Sequence, residues 1–147
     1  MRTLQIILRY IRHFITSKNE HNAHSPFLYT FITKVLYNTT DNIHCKKIDH
    51  LRQRLYRSEK TITINDFGAG SQINNSKKRN VRDIAKNSAK NAKLGKLLYR
   101  ITEFYNVKNI LELGTSLGIS TAYFANKQNK VYTLEGCQET ANIAKKN

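Results

Sequence analysis

One segment constrains the fold of this chain more than any other: an apolar strand, a glycine-bearing turn, an apolar helix and a second strand. The first strand is predicted over residues 109–113 and contains Glu112, and the second, over 130–134, is closed by Glu135. A strand, a helix and a strand of these lengths form a right-handed parallel crossover. The sequence therefore predicts an α/β fold whose ligands bind beyond the carboxyl ends of the strands.

The turn after the first strand is suited to the close approach of a ligand. Gly114 and Gly118 let the backbone turn sharply and place no Cβ in the way. The turn leads into a helix, and the free amides at a helix N-terminus favour a carboxylate or another anion. Glu135 can accept both hydrogen bonds of a ribose diol, as an acid does in dinucleotide-binding folds. These features together predict a ligand that contains a nucleoside.

The glycine spacing separates two classes of nucleotide site. A nicotinamide or flavin fingerprint needs Gly-x-Gly-x-x-Gly, but the second and third of those positions hold Ser116 and Ile119. The run Leu-Glu-Leu-Gly-Thr-Ser-Leu-Gly-Ile-Ser-Thr, residues 111–121, instead resembles motif I of class I S-adenosylmethionine-dependent methyltransferases. It is most similar to the catechol O-methyltransferase-like branch, and the resemblance covers about residues 94–146.

The resemblance implies a Rossmann-like sheet that binds S-adenosyl-L-methionine. Glu135 would then hold the ribose hydroxyls, and the turn would line the methionine end of the cofactor. The alternative for Glu112 is an ordinary turn acid, and for the two glycines an ordinary crossover turn. The residues that the resemblance assigns to cofactor binding are Glu112, Gly114, Thr115, Ser116, Gly118, Ser120, Glu135 and Gly136.

The resemblance covers only the opening of such a sheet, because the sequence stops in the helix after the second strand. In that family the catalytic base, metal ligands and substrate pocket follow later, so no catalytic residue or metal site is assigned. The expectation is a cofactor-binding portion, a truncated or inactive form, or a domain completed by another chain. A bare edge beside the apolar strands would make the chain oligomeric or only marginally stable.

The preceding residues are predicted to be largely helical. Residues 1–60 are assigned to a helical N-terminal extension, 61–93 to a linking region with one strand and a basic helix, and 94–147 to the start of the cofactor-binding domain. In the extension, residues 4–15 have an apolar stripe at helical spacing beside basic residues. Such a stripe packs on its own domain or on a partner subunit, and a membrane surface is the alternative.

Four further helices are predicted from capping residues and apolar spacing. Ser25 and Pro26 are typical of a helix start. The residues that the helix over 27–37 should bury are Phe27, Leu28, Phe31, Ile32 and Val35. The helices over 45–59 and 81–89 follow the same pattern. The apolar side chains expected to be buried in the helix over 93–105 are Leu94, Leu97, Leu98, Ile101 and Phe104.

A second glycine-containing segment lies earlier in the chain. Residues 66–71, Asp-Phe-Gly-Ala-Gly-Ser, follow a short strand predicted over 61–64 and also join an acid to glycines. A polar run follows them in place of a packed helix. The segment is therefore predicted to be a loop near the mouth of the active site or a plain turn.

The charge of the chain supports the alternative functions. There are 25 Lys and Arg against 10 Asp and Glu, a net charge of +15, with a basic cluster over residues 77–100. A basic nucleic-acid-binding module or a non-catalytic interaction protein is therefore kept as an alternative, although a coding bias toward lysine also produces such a composition. The spacing of Cys45 and Cys137 matches no known metal site and makes a poor disulfide framework. No membrane-spanning run or signal peptide is expected. The expected location is therefore the reducing cytoplasm.

Overall fold

The structure, a computed structural model, describes residues 2–17, 24–39, 42–65 and 77–147. The chain divides into two compact units, Met1–Asn38 and Thr39–Asn147. The fold is mixed α/β, with helices in both units and two small sheets in the second. Among the described residues, no helix has both the length and the apolar character needed to cross a bilayer. The glycine-containing segment 66–71 lies outside the described residues.

The first unit contains two helical segments. Helix α1 spans Arg2–Thr16, and helix α2 spans Pro26–Thr30 and continues as a π-helical segment, Phe31–Leu36. The predicted start of α2 is confirmed, since the hydroxyl of Ser25 accepts a hydrogen bond from the amide of Leu28 at 3.4 Å. The amide pairing changes from α to π geometry halfway along, which the residue pattern does not predict.

The second unit contains the other elements, and the first and second strands of the predicted crossover have the predicted bounds. In chain order the elements are α3 (Ile43–Tyr56), β1 (Thr61–Thr63), β2 (Lys78–Asn80), α4 (Val81–Asn87), α5 (Ala92–Phe104), β3 (Asn109–Leu113), α6 (Ile119–Phe124), β4 (Lys130–Leu134) and α7 (Gln138–Ala144).

The core of the second unit joins the helices before the crossover to the crossover itself. Tyr123 of α6 is fully buried there, and its hydroxyl donates a hydrogen bond to Asp49 of α3 at 2.8 Å. Apolar side chains of α3, α4, α6 and α7 form this core, and Tyr99 of α5 packs against it. The larger of these core side chains are Ile48, Leu55, Ile62, Val81, Ile84, Leu117, Ile119 and Ile143.

Two pairs of strands form the sheets. Strands β1 and β2 are antiparallel, with Ile62 opposite Arg79. Strands β3 and β4 are parallel, with Leu111 opposite Tyr132 and Leu113 opposite Leu134. The parallel crossover predicted from the sequence is therefore confirmed, whereas β2 was not among the predicted strands.

The β3–β4 sheet has two unlike faces. The face that carries Glu112 is half-buried beneath α6. The carboxylate of Glu112 is hydrogen bonded there to Thr121 of that helix. The opposite face is apolar and exposed. The sequence predicts a bare strand edge, and the structure leaves a whole apolar face open as well. The side chains of that face, 57–75% exposed, are Leu111, Leu113, Tyr132 and Leu134.

Some predicted core residues lie at the surface instead. Phe27 and Leu28 of α2 are exposed, and so are Leu94 and Phe104 of α5, so these four predictions are wrong. In α5 the buried residues are Gly95 and Thr102, which lie to one side of the apolar stripe.

Candidate functional site

The turn between β3 and α6 is held in a left-handed conformation at three residues. The φ angles are 90° at Gly114, 50° at Ser116 and 77° at Gly118. A Cβ at residue 114 would meet no atom within 4 Å, whereas one at residue 118 would lie 3.3 Å from Cβ of Ala144. Gly114 therefore leaves open space at the strand end, while Gly118 allows α7 to pack closely on the turn.

Backbone amides of this turn are used within the chain. The amides of Gly114 and Thr115 both donate to the carbonyl of Leu134, at 2.8 and 3.1 Å, and that of Gly118 donates to the carbonyl of Thr115 at 2.9 Å. The expectation that the turn presents free amides to a ligand is therefore wrong for these three groups. The amides of Gly114 and Thr115 instead attach the turn to the end of β4, and that of Gly118 closes the turn on itself.

Glu135 connects the two strand ends through its carboxylate. Its Oε2 accepts a hydrogen bond from the amide of Ser116 at 2.7 Å, and its Oε1 accepts one from the amide of Cys137 at 2.9 Å. An ionised carboxylate can accept about four hydrogen bonds. With two protein donors, Glu135 keeps acceptor positions for two more, the number that a ribose diol supplies.

Glu112 lies in a separate hydroxyl network beneath α6. Its Oε2 accepts hydrogen bonds from Thr121 and, at 2.8 Å, from Thr133, whose hydroxyl is 2.5 Å from that of Thr115. These four side chains join β3, the turn, α6 and β4. Because Glu112 has protein hydroxyls as partners, its carboxylate has a structural role in holding the crossover together.

A cleft of about 240 Å³ opens at the carboxyl end of the parallel strands. We call it the strand-end cleft. Ser116, Glu135 and Cys137 come from the crossover, while Asn65 follows β1 and Arg79 is the middle residue of β2. Its other lining residues are Ile64, Ile84, Ser88 and Thr140.

A larger cleft, of about 560 Å³, lies between α6, β4 and α7. We call it the helix cleft. It shares Glu135 with the strand-end cleft and also contains Gly118 and four threonine or apolar residues of α6 and β4. Its volume is in the range of sites for small molecules and cofactors, about 300–1,000 Å³. The lining residues are Thr115, Gly118, Thr121, Ala122, Ala125, Thr133, Leu134, Glu135, Gln138, Ala141, Ala144, Lys145 and Asn147.

Cys137 is the titratable group of the strand-end cleft with a shifted pKa. Burial raises the pKa of this thiol, but hydrogen bonds from the Thr140 hydroxyl and from nearby backbone amides outweigh burial, and the pKa lies below its ordinary value. The thiol also lies 3.5 Å from the carbonyl of Thr63. These contacts attach the end of β4 to the β1–β2 hairpin.

The structure brings most of the predicted site residues to one end of the crossover. Gly114, Thr115, Ser116, Gly118 and Glu135 lie in or against the turn. Gly136 is exposed directly after Glu135, and Ser120 is half-buried in the first turn of α6.

Sequence reasoning missed Asn65, Arg79 and Thr133. Arg79 belongs to the basic cluster, which carries no sign that it forms a strand. Thr133 alternates with apolar residues in β4, and this alternation could have indicated that a polar side chain faces α6.

Among the described residues, no group of three or more His, Cys, Asp or Glu side chains is arranged to hold a metal ion. Comparison of the chain with protein-family models, with curated proteins and with solved structures finds no significant match.

Proposed function

We propose that the second unit binds S-adenosyl-L-methionine and is the cofactor-binding portion of a Rossmann-like methyltransferase. One observation carries the proposal: Glu135 closes the second parallel strand and its carboxylate is hydrogen bonded to Ser116 in the glycine turn that follows the first. An acid in this position accepts ribose hydroxyls in nucleotide-binding crossovers. The motif around Glu112 and Gly114 adds the methyltransferase resemblance.

The residues present fit a ligand that contains adenosine. Glu135 has two unused acceptor positions, and the open space at Gly114 admits a ligand atom where any other residue would have a Cβ. The helix cleft is large enough for a nucleoside, and Glu135 lines it as well as the strand-end cleft. We infer that the ribose lies at Glu135.

S-adenosyl-L-methionine supplies an electrophilic methyl group on its sulfonium, which performs the difficult part of the chemistry. The contribution of this chain is to bind and orient. Glu135 would fix the ribose, and the rigid turn from Gly114 to Gly118 would limit the positions open to the rest of the molecule. Both cysteines, Cys45 and Cys137, are free and buried, and we place the activity in the reducing cytoplasm.

A nucleic-acid-binding role is the second candidate, and the exposure of the basic cluster supports it. The positive electrostatic potential of this cluster attracts phosphates whatever the sequence of the nucleic acid. The charge of the cluster explains attraction to phosphates but does not define a binding groove. We therefore rank the nucleic-acid-binding role below the cofactor proposal. The exposed cations of the cluster are Lys77, Lys78, Arg82, Lys86, Lys90 and Lys93.

The proposal is tested by isothermal titration of the full chain with S-adenosylhomocysteine, followed by competition with S-adenosylmethionine, adenosine and NAD. We expect saturable binding that both adenosyl compounds and adenosine displace, while NAD competes poorly because Ser116 and Ile119 replace glycines of its fingerprint. Absence of S-adenosylhomocysteine binding, or equal competition by NAD, would contradict the proposal.

A further inference from the structure

Helix α1 exposes nearly all of its apolar side chains. Helical spacing places Leu4, Ile7, Leu8, Ile11 and Ile15 on one side, and each of them is 47–76% exposed. A continuous stripe of exposed apolar side chains is uncommon on the exterior of a folded chain, and it marks a site of interaction with a protein or a membrane. The stripe is therefore not covered by the described residues of the chain, and its packing on a partner subunit stays a prediction.

The opposite side of α1 is basic. Arg9 and His13 lie there beside the exposed Ile6, Arg12 lies at the border with the apolar stripe, and Arg2–Thr16 contains no acidic residue. Residues 24–38, the other described part of the first unit, add Lys34 and likewise contain no Asp or Glu. In residues 2–17 and 24–38, the described part of this unit, exposed apolar side chains are thus combined with positive charge alone.

We propose that α1 binds the surface of an anionic lipid bilayer. A helix with a broad apolar side and a cationic opposite side lies in the plane of the interface, with the apolar side chains among the acyl chains. Arg12, at the border of the apolar stripe, can extend toward lipid phosphates while its methylene groups stay on the apolar side. The attraction of phosphates to the Arg and Lys residues and the burial of the stripe then act together.

The composition of the exposed surface favours a bilayer over a protein groove as the occupant. Tyr10 and Phe14 widen the apolar side beyond the narrow row that a groove-bound helix presents. Tyr29 and Tyr37 of the same unit are also exposed, and aromatic side chains with a polar tip prefer the interface of a membrane with water.

The test is co-sedimentation of the full chain with vesicles of phosphatidylcholine alone and with vesicles that also contain phosphatidylglycerol. Two variants with the same change in charge are compared: Ile11→Glu on the apolar side and Gln5→Glu on the polar side. Both positions are exposed, so thermal melts of the two variants should match the wild type. Binding to the anionic vesicles should fall about tenfold or more in Ile11→Glu and only slightly in Gln5→Glu.

Three results would overturn the proposal. The first is no co-sedimentation with anionic vesicles. The second is equal weakening by Ile11→Glu and Gln5→Glu, which would assign vesicle binding to charge elsewhere on this basic chain. The third is light scattering that shows an assembly without vesicles that Ile11→Glu dissociates, together with no vesicle binding, because the apolar side would then join copies of the chain.

Discussion

The ring of Tyr123 lies against the backbone of Gly95, so close that a Cβ at residue 95 would overlap ring carbon Cε2. Gly95 is inside α5 and Tyr123 inside α6, and the tyrosine is fully buried. The phenol donates to Asp49, and the ammonium of Lys96 lies 3.0 Å from the same carboxylate. The absence of a side chain at residue 95 thus sets how closely α5 approaches the crossover.

The first prediction concerns Gly95→Ala. In an open helix, alanine would stabilise the fold by up to about 1 kcal/mol, but here overpacking should outweigh that gain and lower the free energy of unfolding by about 1–3 kcal/mol. Urea denaturation measures the change. In a double-mutant cycle, Gly95→Ala should lower the free energy of unfolding less in the Tyr123→Leu background than in the wild type. A Gly95→Ala variant more stable than the wild type would contradict the close contact.

The second prediction concerns stability at alkaline pH. Burial and then the hydrogen bond to Asp49 raise the pKa of Tyr123 to about 12, from the ordinary 10.0. Between these values the unfolded chain loses the phenol proton and the folded chain keeps it, so the stability contributed by the proton falls as pH rises. Urea unfolding from pH 10 to 12 should show a steeper loss in the wild type than in Tyr123→Phe. Equal slopes would count against the buried phenol.

Strands β3 and β4 could be predicted to the residue because β-branched and aliphatic residues form short runs closed by turn signals. Strand β2 could not, since Lys78–Asn80 has no apolar residue and becomes a strand only by pairing with β1. The helix start at Ser25 was predictable because the capping hydroxyl and the proline are local features.

Burial in α5 was mispredicted at Leu94 and Phe104, while Leu97, Leu98 and Ile101 of the same stripe are half-buried. Gly95 and Thr102 face the core, since only a residue as small as glycine lets Tyr123 approach, and this leaves Leu94 and Phe104 at the surface. For the candidate site, the residue types and their order predicted the position of Glu135. Its hydrogen bond to Ser116 depends on the three-dimensional turn, which sequence spacing alone does not specify.

The third prediction concerns the open face of the β3–β4 sheet. Parallel strands are normally covered on both faces, so the exposed Leu111 and its neighbours should drive association of the chain with itself or with a completing chain. Light scattering should show assemblies that grow with protein concentration. Leu111→Lys should shift them toward monomer. Asn109→Lys, with the same added charge on the same face, should not.

A monodisperse wild-type monomer with a cooperative melt in the ordinary range of mesophile domains would contradict this prediction, and so would equal effects of the two lysine variants.

The fourth prediction concerns the basic cluster. If its cations only form a solvent-exposed helical surface, binding to DNA or RNA should be weak and insensitive to the nucleic-acid sequence. Salt between about 50 and 200 mM should also reduce it strongly. Fluorescence anisotropy with two unrelated duplexes measures each property. A complex that prefers one sequence and persists at high salt would promote the nucleic-acid-binding role above the cofactor proposal.

The cofactor proposal depends on Glu135, and its control must be another acid with no structural contact. Glu139 is unsuitable, because its Oε2 accepts a hydrogen bond from the amide of Thr63 at 2.7 Å and attaches α7 to β1. Glu59 is exposed after α3 and serves as the control. Glu135→Gln keeps the shape of the side chain and one acceptor oxygen, and thermal melts would establish that each variant folds.

The most direct test titrates the wild type, Glu135→Gln and Glu59→Gln with adenosine and with 2′-deoxyadenosine. Because a hydrogen bond to a charged group contributes about 1.5–3 kcal/mol, the wild type and Glu59→Gln should bind adenosine about tenfold or more tightly than the deoxy compound. Glu135→Gln should bind adenosine more weakly and lose most of that preference. An unchanged preference in Glu135→Gln would show that Glu135 does not hold the ribose and would contradict the central claim.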